Sequence, residues 1–198
     1  MRSGAFRLLA LVAVVGLAGV SRQVAAQQRF EFGLGGGYYT LSGDDFEGTD
    51  AGMGLDAVGR IVWPSGLGVG LSLQRNTHSA DFVDDDITVL GILGDVRYAF
   101  SPQGTNVRPY VGGRFGWVKE SAEVLGDDAE ASGWMFGAVG GVMFALSTAV
   151  TFDASVGLYQ VSFGDGEIDG ETIPDSDTSG SSLGLRLGLI FRLPGGGS

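Results

Sequence analysis

Residues 181–193 read SSLGLRLGLIFRL, and the leucines of this stretch recur at every second position. One face of the extended chain would carry Leu183, Leu185, Leu187, Leu189, Phe191 and Leu193. The other face would carry Ser182, Gly184, Arg186, Gly188, Ile190 and Arg192. Successive side chains of a β-strand point to opposite sides, so the pattern predicts a strand with one apolar face and one small or polar face.

Seven further segments show the same alternation. Together the eight segments span approximately 29–41, 52–63, 67–80, 87–100, 108–119, 131–146, 149–163 and 181–193. They are longer than the five or six residues, roughly, that are usual for strands of globular proteins. A strand tilted across a bilayer needs about 9–11 residues, so the lengths favour strands that cross a membrane.

The connections between the segments alternate in length and in charge. Three are short, carry turn residues and little charge, and lie at 64–66, 101–104 and 147–148. The other four carry 19 of the 23 acidic residues, in blocks at 44–50, 81–86, 120–130 and 165–177. Long loops at one end and short turns at the other are typical of an up-and-down barrel that stands across a bilayer.

The positions of the charges decide which face points inward. The small and polar face carries the four remaining acids and six arginines: Glu31, Asp56, Asp95, Asp153, Arg60, Arg97, Arg108, Arg114, Arg186 and Arg192. The opposite face is almost continuously apolar, and in water it would be a larger exposed patch than monomers tolerate. We therefore expect the apolar face to meet lipid and the polar face to fill the interior, where glycines leave room for the arginine side chains. Eight strands enclose too little space for a general porin.

The N-terminal residues predict export. Arg2 and Arg7 precede an apolar run at 8–20, and small residues at 24–26 complete a secretory signal peptide that would be cut after Ala26. The chain has no cysteine, which excludes disulfides and thiolate chemistry. It carries 12 basic against 23 acidic residues, a formal charge of −11 that argues against binding nucleic acid.

Taken together, these features resemble the small eight-stranded outer-membrane barrels of the OmpA/OmpX-like group. The resemblance rests on the signal peptide, the eight alternating segments, the alternation of long loops with short turns and the closing strand from Leu185 to Leu193. It implies an all-β, eight-stranded antiparallel transmembrane barrel in the outer membrane of a cell. The expected organisation is a signal peptide at 1–26, the barrel at 27–193 and a short tail at 194–198.

The charged residues of the interior are expected to form a paired network of Glu31, Asp56, Arg60, Asp95, Arg97, Arg114, Asp153, Arg186 and Arg192. Pairing Phe100 with Pro109 and counting back places Asp95 opposite Arg114, both facing inward. Asp56 and Arg186 should lie at a similar height, and Glu31 should meet Arg60 or Arg192. A lone buried charge is costly, so pairing is required.

Two cations fall on the lipid-facing side instead. Arg75 and Lys119 lie just below the acidic loops, near the aromatic residues Tyr38, Trp117 and Trp134. A cation costs about 2–4 kcal/mol at the bilayer centre but about 0–1 kcal/mol near the interface. We expect both to lie at the level of the outer headgroups and to contact lipid phosphates.

Other candidate sites are weaker. Asp165, Glu167 and Asp169 imitate the first half of a calcium loop, with Gly170 at its sixth position, but Ser176 stands where a bidentate Glu is needed. The acidic loops could attract divalent cations without a defined site. His78 is the only histidine, and Ser79 beside it would point to the opposite face, which does not favour catalysis.

The sequence therefore predicts a non-enzymatic outer-membrane barrel with a filled polar lumen, acidic extracellular loops, no cofactor, and a structural or surface-interaction role. Outer-membrane lipid is the expected partner, and an extracellular partner is not identifiable. Two alternatives stay open at this stage. One is a lipid-modifying barrel enzyme, which needs a nucleophile and a base that converge at the membrane rim. The other is a soluble exported lipocalin-like binder, which needs an apolar lumen.

Overall fold

A computed structural model describes residues 28–79, 86–100, 106–124, 127–168, 171–173 and 178–193. The strands are β1 (Arg29–Ser42), β2 (Gly52–Val62), β3 (Leu67–His78), β4 (Ile87–Ala99), β5 (Val107–Val124), β6 (Asp127–Ala145), β7 (Val150–Phe163), β8 (Gly166–Ile168), β9 (Glu171–Ile173) and β10 (Thr178–Leu193). The predicted signal peptide and the tail at 194–198 lie outside the described residues. Across the described ranges, no helix is long and apolar enough to cross a membrane.

The long strands close into an eight-stranded antiparallel barrel, as the sequence predicts. Each strand from β1 to β6 pairs with the next strand of the chain, and β10 pairs with both β7 and β1. Short connections join β2 to β3, β4 to β5 and β6 to β7, which defines a short-turn end. The other end, here called the loop end, carries the acidic blocks.

The register of the strands fixes how far they are staggered around the barrel. Starting at Glu31 on β1, the successive partners are Arg60, Gly70, Asp95, Arg114, Gly137, Tyr159 and Ser182. Ser182 pairs with Leu41, so the path returns to β1 ten residues beyond its start. A stagger of this kind tilts the strands, typically by about 35–45°, and sets the barrel width.

Two elements at the loop end differ from the predicted loops. Strands β5 and β6 continue their pairing to Val124 and Asp127, so most of the third acidic block lies in a long hairpin. In the fourth block, β8 and β9 form a small hairpin, and β8 also pairs with β6. Continued pairing satisfies the backbone donors and acceptors wherever the chain does not need to turn. The many acidic residues of these segments predicted loops instead of paired strands.

The outer face is apolar, as the alternation predicts. Leu55, Leu71, Leu158 and Leu187 are between 60 and 73 % exposed, although they are large aliphatic residues. Tyr38, Trp117 and Trp134 are exposed on the same face towards the loop end, and Phe30, Phe32, Phe100 and Phe144 towards the short-turn end. The barrel therefore presents an apolar band with aromatic residues near both edges.

The interior contains apolar as well as polar side chains, whereas the sequence predicts a polar lumen. Towards the loop end, inward positions carry apolar residues that pack together, here called the apolar cap: Phe46, Ile87, Val89, Leu93, Val118, Met135 and Phe163. Phe46 follows β1 in a single 3-10 turn, and its ring contacts that of Phe163 edge to face at 6.4 Å. Strand β4 has large aliphatic residues on both faces near its start, so alternation alone could not identify these positions.

Glycines on the inner face provide space for neighbouring side chains. Gly35 and Gly70 leave room for arginines, as expected, because an added Cβ would crowd Arg186 and Arg60 respectively. At Gly137 and Gly141 the space is taken by tyrosine rings instead, those of Tyr159 and Tyr110. Arginine volume therefore explains only part of the glycine content.

Two glycines of β6 test which residues face the interior, because neighbouring atoms crowd Gly137 but not Gly140. A Cβ there would overlap the carbonyl oxygen of Leu158 and lie 2.5 Å from Cδ1 of Tyr159, whereas Gly140 on the outer face has nothing within 4 Å of an added Cβ. We expect Gly137→Ala to lower the free energy of unfolding by about 1–3 kcal/mol through overpacking. Gly140→Ala should change it by less than about 0.5 kcal/mol. Urea unfolding in phospholipid vesicles measures both, and equal effects would contradict the inward assignment of Gly137.

Candidate functional site

Six charged side chains form an alternating series across the barrel interior, here called the central ion chain: Arg60, Asp95, Arg114, Asp56, Arg186 and Asp153. None of these side chains is more than 7 % exposed. Three guanidiniums face three carboxylates, so the series is neutral as a whole. Neutrality is needed because a charge left without a partner in this interior would be strongly unfavourable.

Asp95 and Asp56 are the acceptors that hold the series together. Asp95 accepts hydrogen bonds from both Nε and Nη2 of Arg60, the latter at 3.2 Å, and from Nε of Arg114 at 3.1 Å. Asp56 accepts from Nε and Nη2 of Arg186 at 2.9 and 2.6 Å, and Nη2 of Arg114 lies 3.5 Å from it. The two-point pairs have the fork geometry that makes arginine–carboxylate bonds strong.

The strand register explains part of this arrangement. Asp95 and Arg114 are direct partners on β4 and β5, the pairing that counting back from the turn predicts. Arg60 reaches Asp95 across the intervening strand, where the residue in the same row is Gly70. Arg186 likewise reaches Asp56 across β1, beside Gly35. An inward glycine therefore allows charges two strands apart to meet.

The series ends at Asp153, near Tyr110. Nη1 of Arg186 lies 4.0 Å from Asp153, whose carboxylate also accepts a 3.3 Å hydrogen bond from Tyr110. The guanidinium of Arg97 lies over the ring of Tyr110, 5.5 Å from its centre. Such a cation–π contact contributes about 0.5–2 kcal/mol. Tyr110 thus connects the central ion chain with the charges nearer the short-turn end.

Glu31 is the centre of that second group of charges. Arg97 donates a hydrogen bond to its carboxylate, and Nε of Arg192 lies 3.8 Å away. Arg192 also donates to Oγ1 of Thr151 at 3.0 Å and to the carbonyl oxygen of Thr148 at 3.4 Å. Of the two partners expected for Glu31, only Arg192 lies near it. Arg60, its direct neighbour in the register, turns to Asp95 instead.

The two lipid-facing cations lie in one row of the outer surface. The row runs through Leu55, Arg75, Leu90, Lys119 and Ser132 on adjacent strands, so Leu90 separates the two cations. A groove of about 440 Å³ along this row is lined mainly by aliphatic side chains, and also by Arg75 and Trp117. Lys119 also makes a half-exposed ion pair with Glu130 at 2.7 Å, which sequence reasoning missed because Glu130 was assigned to a loop.

The weaker candidates are only partly within the described residues. The backbone of Glu167 lies in β8 and Asp165 is exposed, whereas Asp169 lies outside the described ranges. The described residues contain no group of three or more His, Cys, Asp or Glu side chains that could hold a metal ion. Binding of divalent cations to the acidic loops stays a prediction.

His78 and Ser79 do not converge. His78 is 1 % exposed at the loop end of β3, and its Nδ1 donates a 3.2 Å hydrogen bond to the carbonyl oxygen of Asp50. Burial there, beyond the lipid-facing band, lowers the pKa of His78, so the ring is neutral at pH 7. The hydroxyl of Ser79 instead donates to Asp86 at 3.0 Å. This geometry does not assemble the nucleophile and base that a hydrolase needs.

A closed, staggered eight-stranded barrel with an apolar exterior and a charged interior defines a small transmembrane β-barrel protein. The family model of the outer membrane protein beta-barrel domain matches residues 10–191, and the chain belongs to this family. It is a protein of the outer membrane. Comparison with curated protein sequences finds no significant match.

Solved structures show the same fold at low sequence identity. Neisserial surface protein A is 19 % identical, with a TM-score of 0.65, and the match covers 83 % of this chain and 97 % of that one. The attachment invasion locus protein Ail of Yersinia pestis is 14 % identical, with a TM-score of 0.50 and coverage of 84 and 97 %. OprG from Pseudomonas aeruginosa is 13 % identical, with a TM-score of 0.50 and coverage of 86 and 99 %.

The central ion chain predicts unequal costs for its members. Asp95→Ala leaves Arg60 and Arg114 without their shared carboxylate, and we expect the free energy of unfolding to fall by about 3–5 kcal/mol. Arg114→Ala leaves Asp95 bound to Arg60 and Asp56 bound to Arg186, so its cost should be clearly smaller. Lys119→Ala, which breaks an exposed pair, should cost about 0–1 kcal/mol. Urea unfolding in vesicles measures all three, and equal costs for Asp95→Ala and Arg114→Ala would contradict the assigned pairing.

Proposed function

We propose that this protein is a non-enzymatic surface protein of the outer membrane, whose barrel is an anchor and whose acidic loop end contacts partners outside the cell. The observation that carries the proposal is the separation of charge along the barrel. Exposed acids gather at the loop end, and among the described residues they are Asp45, Glu47, Asp50, Asp86, Glu130 and Asp165. A surface of one sign favours partners of the opposite sign and speeds their encounter.

The filled interior supports an anchoring role over transport. The central ion chain occupies the middle of the barrel, and the apolar cap packs together with buried polar side chains in the interior above it. An eight-stranded barrel is only wide enough for such packing. A solute the size of a sugar would have to displace paired charges and packed aromatic rings, so a role as a general porin is not favoured.

The names of two similar proteins agree with a surface role. Neisserial surface protein A is named for its place on the surface, and Ail is named as an attachment invasion locus protein. Both share the fold at less than 20 % identity. We carry over only the general idea of a small barrel that interacts through its loops, and we assign no particular ligand.

Labelling of single cysteines tests the proposed orientation without background, because the chain has no native cysteine. Glu47→Cys and Asp86→Cys are at exposed loop-end positions, and Ser65→Cys and Thr148→Cys are at exposed short-turn positions. On intact cells, a membrane-impermeant maleimide should label the first pair and leave the second pair unlabelled. After the outer membrane is permeabilised, all four should react. Labelling of the short-turn positions on intact cells would refute the orientation.

We further propose that Arg75 and Lys119 contact phosphate groups of anionic lipid. They are two strands apart, or about 10 Å at the usual strand spacing. The aliphatic groove beside Arg75 can hold an acyl chain while the cations contact the headgroup. The exposed Lys119–Glu130 pair is weak enough for a phosphate to compete with it.

The double variant Arg75→Gln/Lys119→Gln tests this contact. We expect it to retain at least about tenfold less bound anionic phospholipid after purification in neutral detergent, since two charge-assisted contacts are removed. Native mass spectrometry counts the bound lipids. Glu130→Gln is the matched control, because it releases Lys119 from its ion pair and should retain as much lipid as the wild type or more. Unchanged retention in the double variant would exclude the contact.

A further inference from the structure

The charges at the short-turn end of the interior do not balance. Three arginines point inward around Glu31, namely Arg97, Arg108 and Arg192, and the exposed Arg29 lies two residues before Glu31 on the same face of β1. Glu31 is the one acid among these five residues. The central ion chain, by contrast, matches three arginines with three aspartates. The excess positive charge is therefore confined to the short-turn end.

These arginines also have hydrogen-bond donors without acceptors. Nη1 of Arg97, Nη2 of Arg108 and Nε of Arg192 are buried atoms with no hydrogen-bond partner among the described residues. Arg97 is 4 % exposed, so bulk water does not satisfy its free donor. A buried donor without an acceptor is unfavourable, and more so on a charged group. Three such donors in one place indicate a missing acceptor.

The three arginines come from β4, β5 and β10, and each of them lies near Glu31. Arg97 and Arg192 both approach the carboxylate of Glu31. Arg108 lies close enough to Arg192, Glu31 and Arg29 for their charges to act on it. The repulsion among the arginines is only partly relieved by the one carboxylate, and a second anion would relieve it further.

We propose that Arg97, Arg108 and Arg192 form a binding site for a small tetrahedral oxyanion of the phosphate type at the short-turn mouth of the barrel. The net charge of the cluster exceeds what a single carboxylate would neutralise. Donors that approach from three strands suit an acceptor with oxygens in several directions better than a planar group. Arginine is also the side chain best adapted to phosphate, because its planar fork offers paired donors.

The site is open to solvent on one side. The side chain of Arg192 is 17 % exposed, Arg108 is half-buried, and Arg29 is exposed at the mouth. An ion can therefore enter from the short-turn end without opening the barrel. In the proposed orientation this end faces the periplasm, so the ion is either free phosphate or the phosphate group of a small monoester. The site itself does not depend on the orientation.

Isothermal titration of the full barrel in neutral detergent, at constant ionic strength and in a buffer without phosphate, tests the proposal. We expect inorganic phosphate to bind and acetate to bind at least about tenfold more weakly. Arg108→Gln/Arg192→Gln should weaken phosphate binding about tenfold or more, because two charge-assisted donors are lost. Glycerol 3-phosphate distinguishes the sources, since its binding indicates a monoester and its exclusion indicates the free ion.

The matched control is Ser42→Asp/Thr172→Asp, which lowers the net charge by the same amount at exposed positions of the loop end and should bind phosphate like the wild type. Far-ultraviolet circular dichroism and the mobility shift between boiled and unboiled samples confirm that each variant is folded. Absence of phosphate binding to the folded wild type would overturn the proposal. An equal loss of binding in both double variants would overturn it as well, because it would show a general effect of net charge.

Discussion

The narrow interior of a closed eight-stranded barrel is the constraint on which the rest of this structure depends. With a stagger of ten residues, every second side chain of each strand points into a space that admits little solvent. Each inward residue must therefore match its neighbours in volume and in charge. The central ion chain satisfies the charge requirement, and the glycines beneath Tyr110 and Tyr159 satisfy the volume requirement.

Lipid outside the barrel makes the same constraint stricter. A surface charge in water can lose its partner at little cost, but a charge in this interior has neither water nor lipid headgroups nearby. Pairing in the central ion chain thus mainly offsets the cost of burying these charges, and it adds little net stability to the barrel. This explains why carboxylates such as Asp95 and Asp56 each face two guanidiniums, so that no arginine of the series lacks a carboxylate.

The sequence predicts those features that depend on alternation and on counting from a turn. The barrel, the inward charges and the partnership of Asp95 with Arg114 are of this kind. Contacts across an intervening strand, such as Arg60 with Asp95 over Gly70, depend on barrel curvature and side-chain direction, which a linear pattern does not encode. The apolar cap was also missed, because Ile87 and Val89 look the same whether they face lipid or the lumen. The ion pair between Lys119 and Glu130 was missed because β6 begins at Asp127, earlier than predicted.

The hydrogen bonds between Arg186 and Asp56 cross the place where the first and last strands of the chain meet. Arg186 lies on β10, Asp56 lies on β2, and β1 runs between them. Of the other central charges, Arg60, Asp95 and Arg114 lie on β2, β4 and β5, and Asp153 lies on β7. Before the terminal strands of the sheet join during insertion, Arg186 and Asp56 are far apart, and the surrounding bilayer has low polarity. Joining the ends of the chain and forming the hydrogen bonds between Arg186 and Asp56 are thus one event, which favours a single cooperative closing step over a long-lived open sheet.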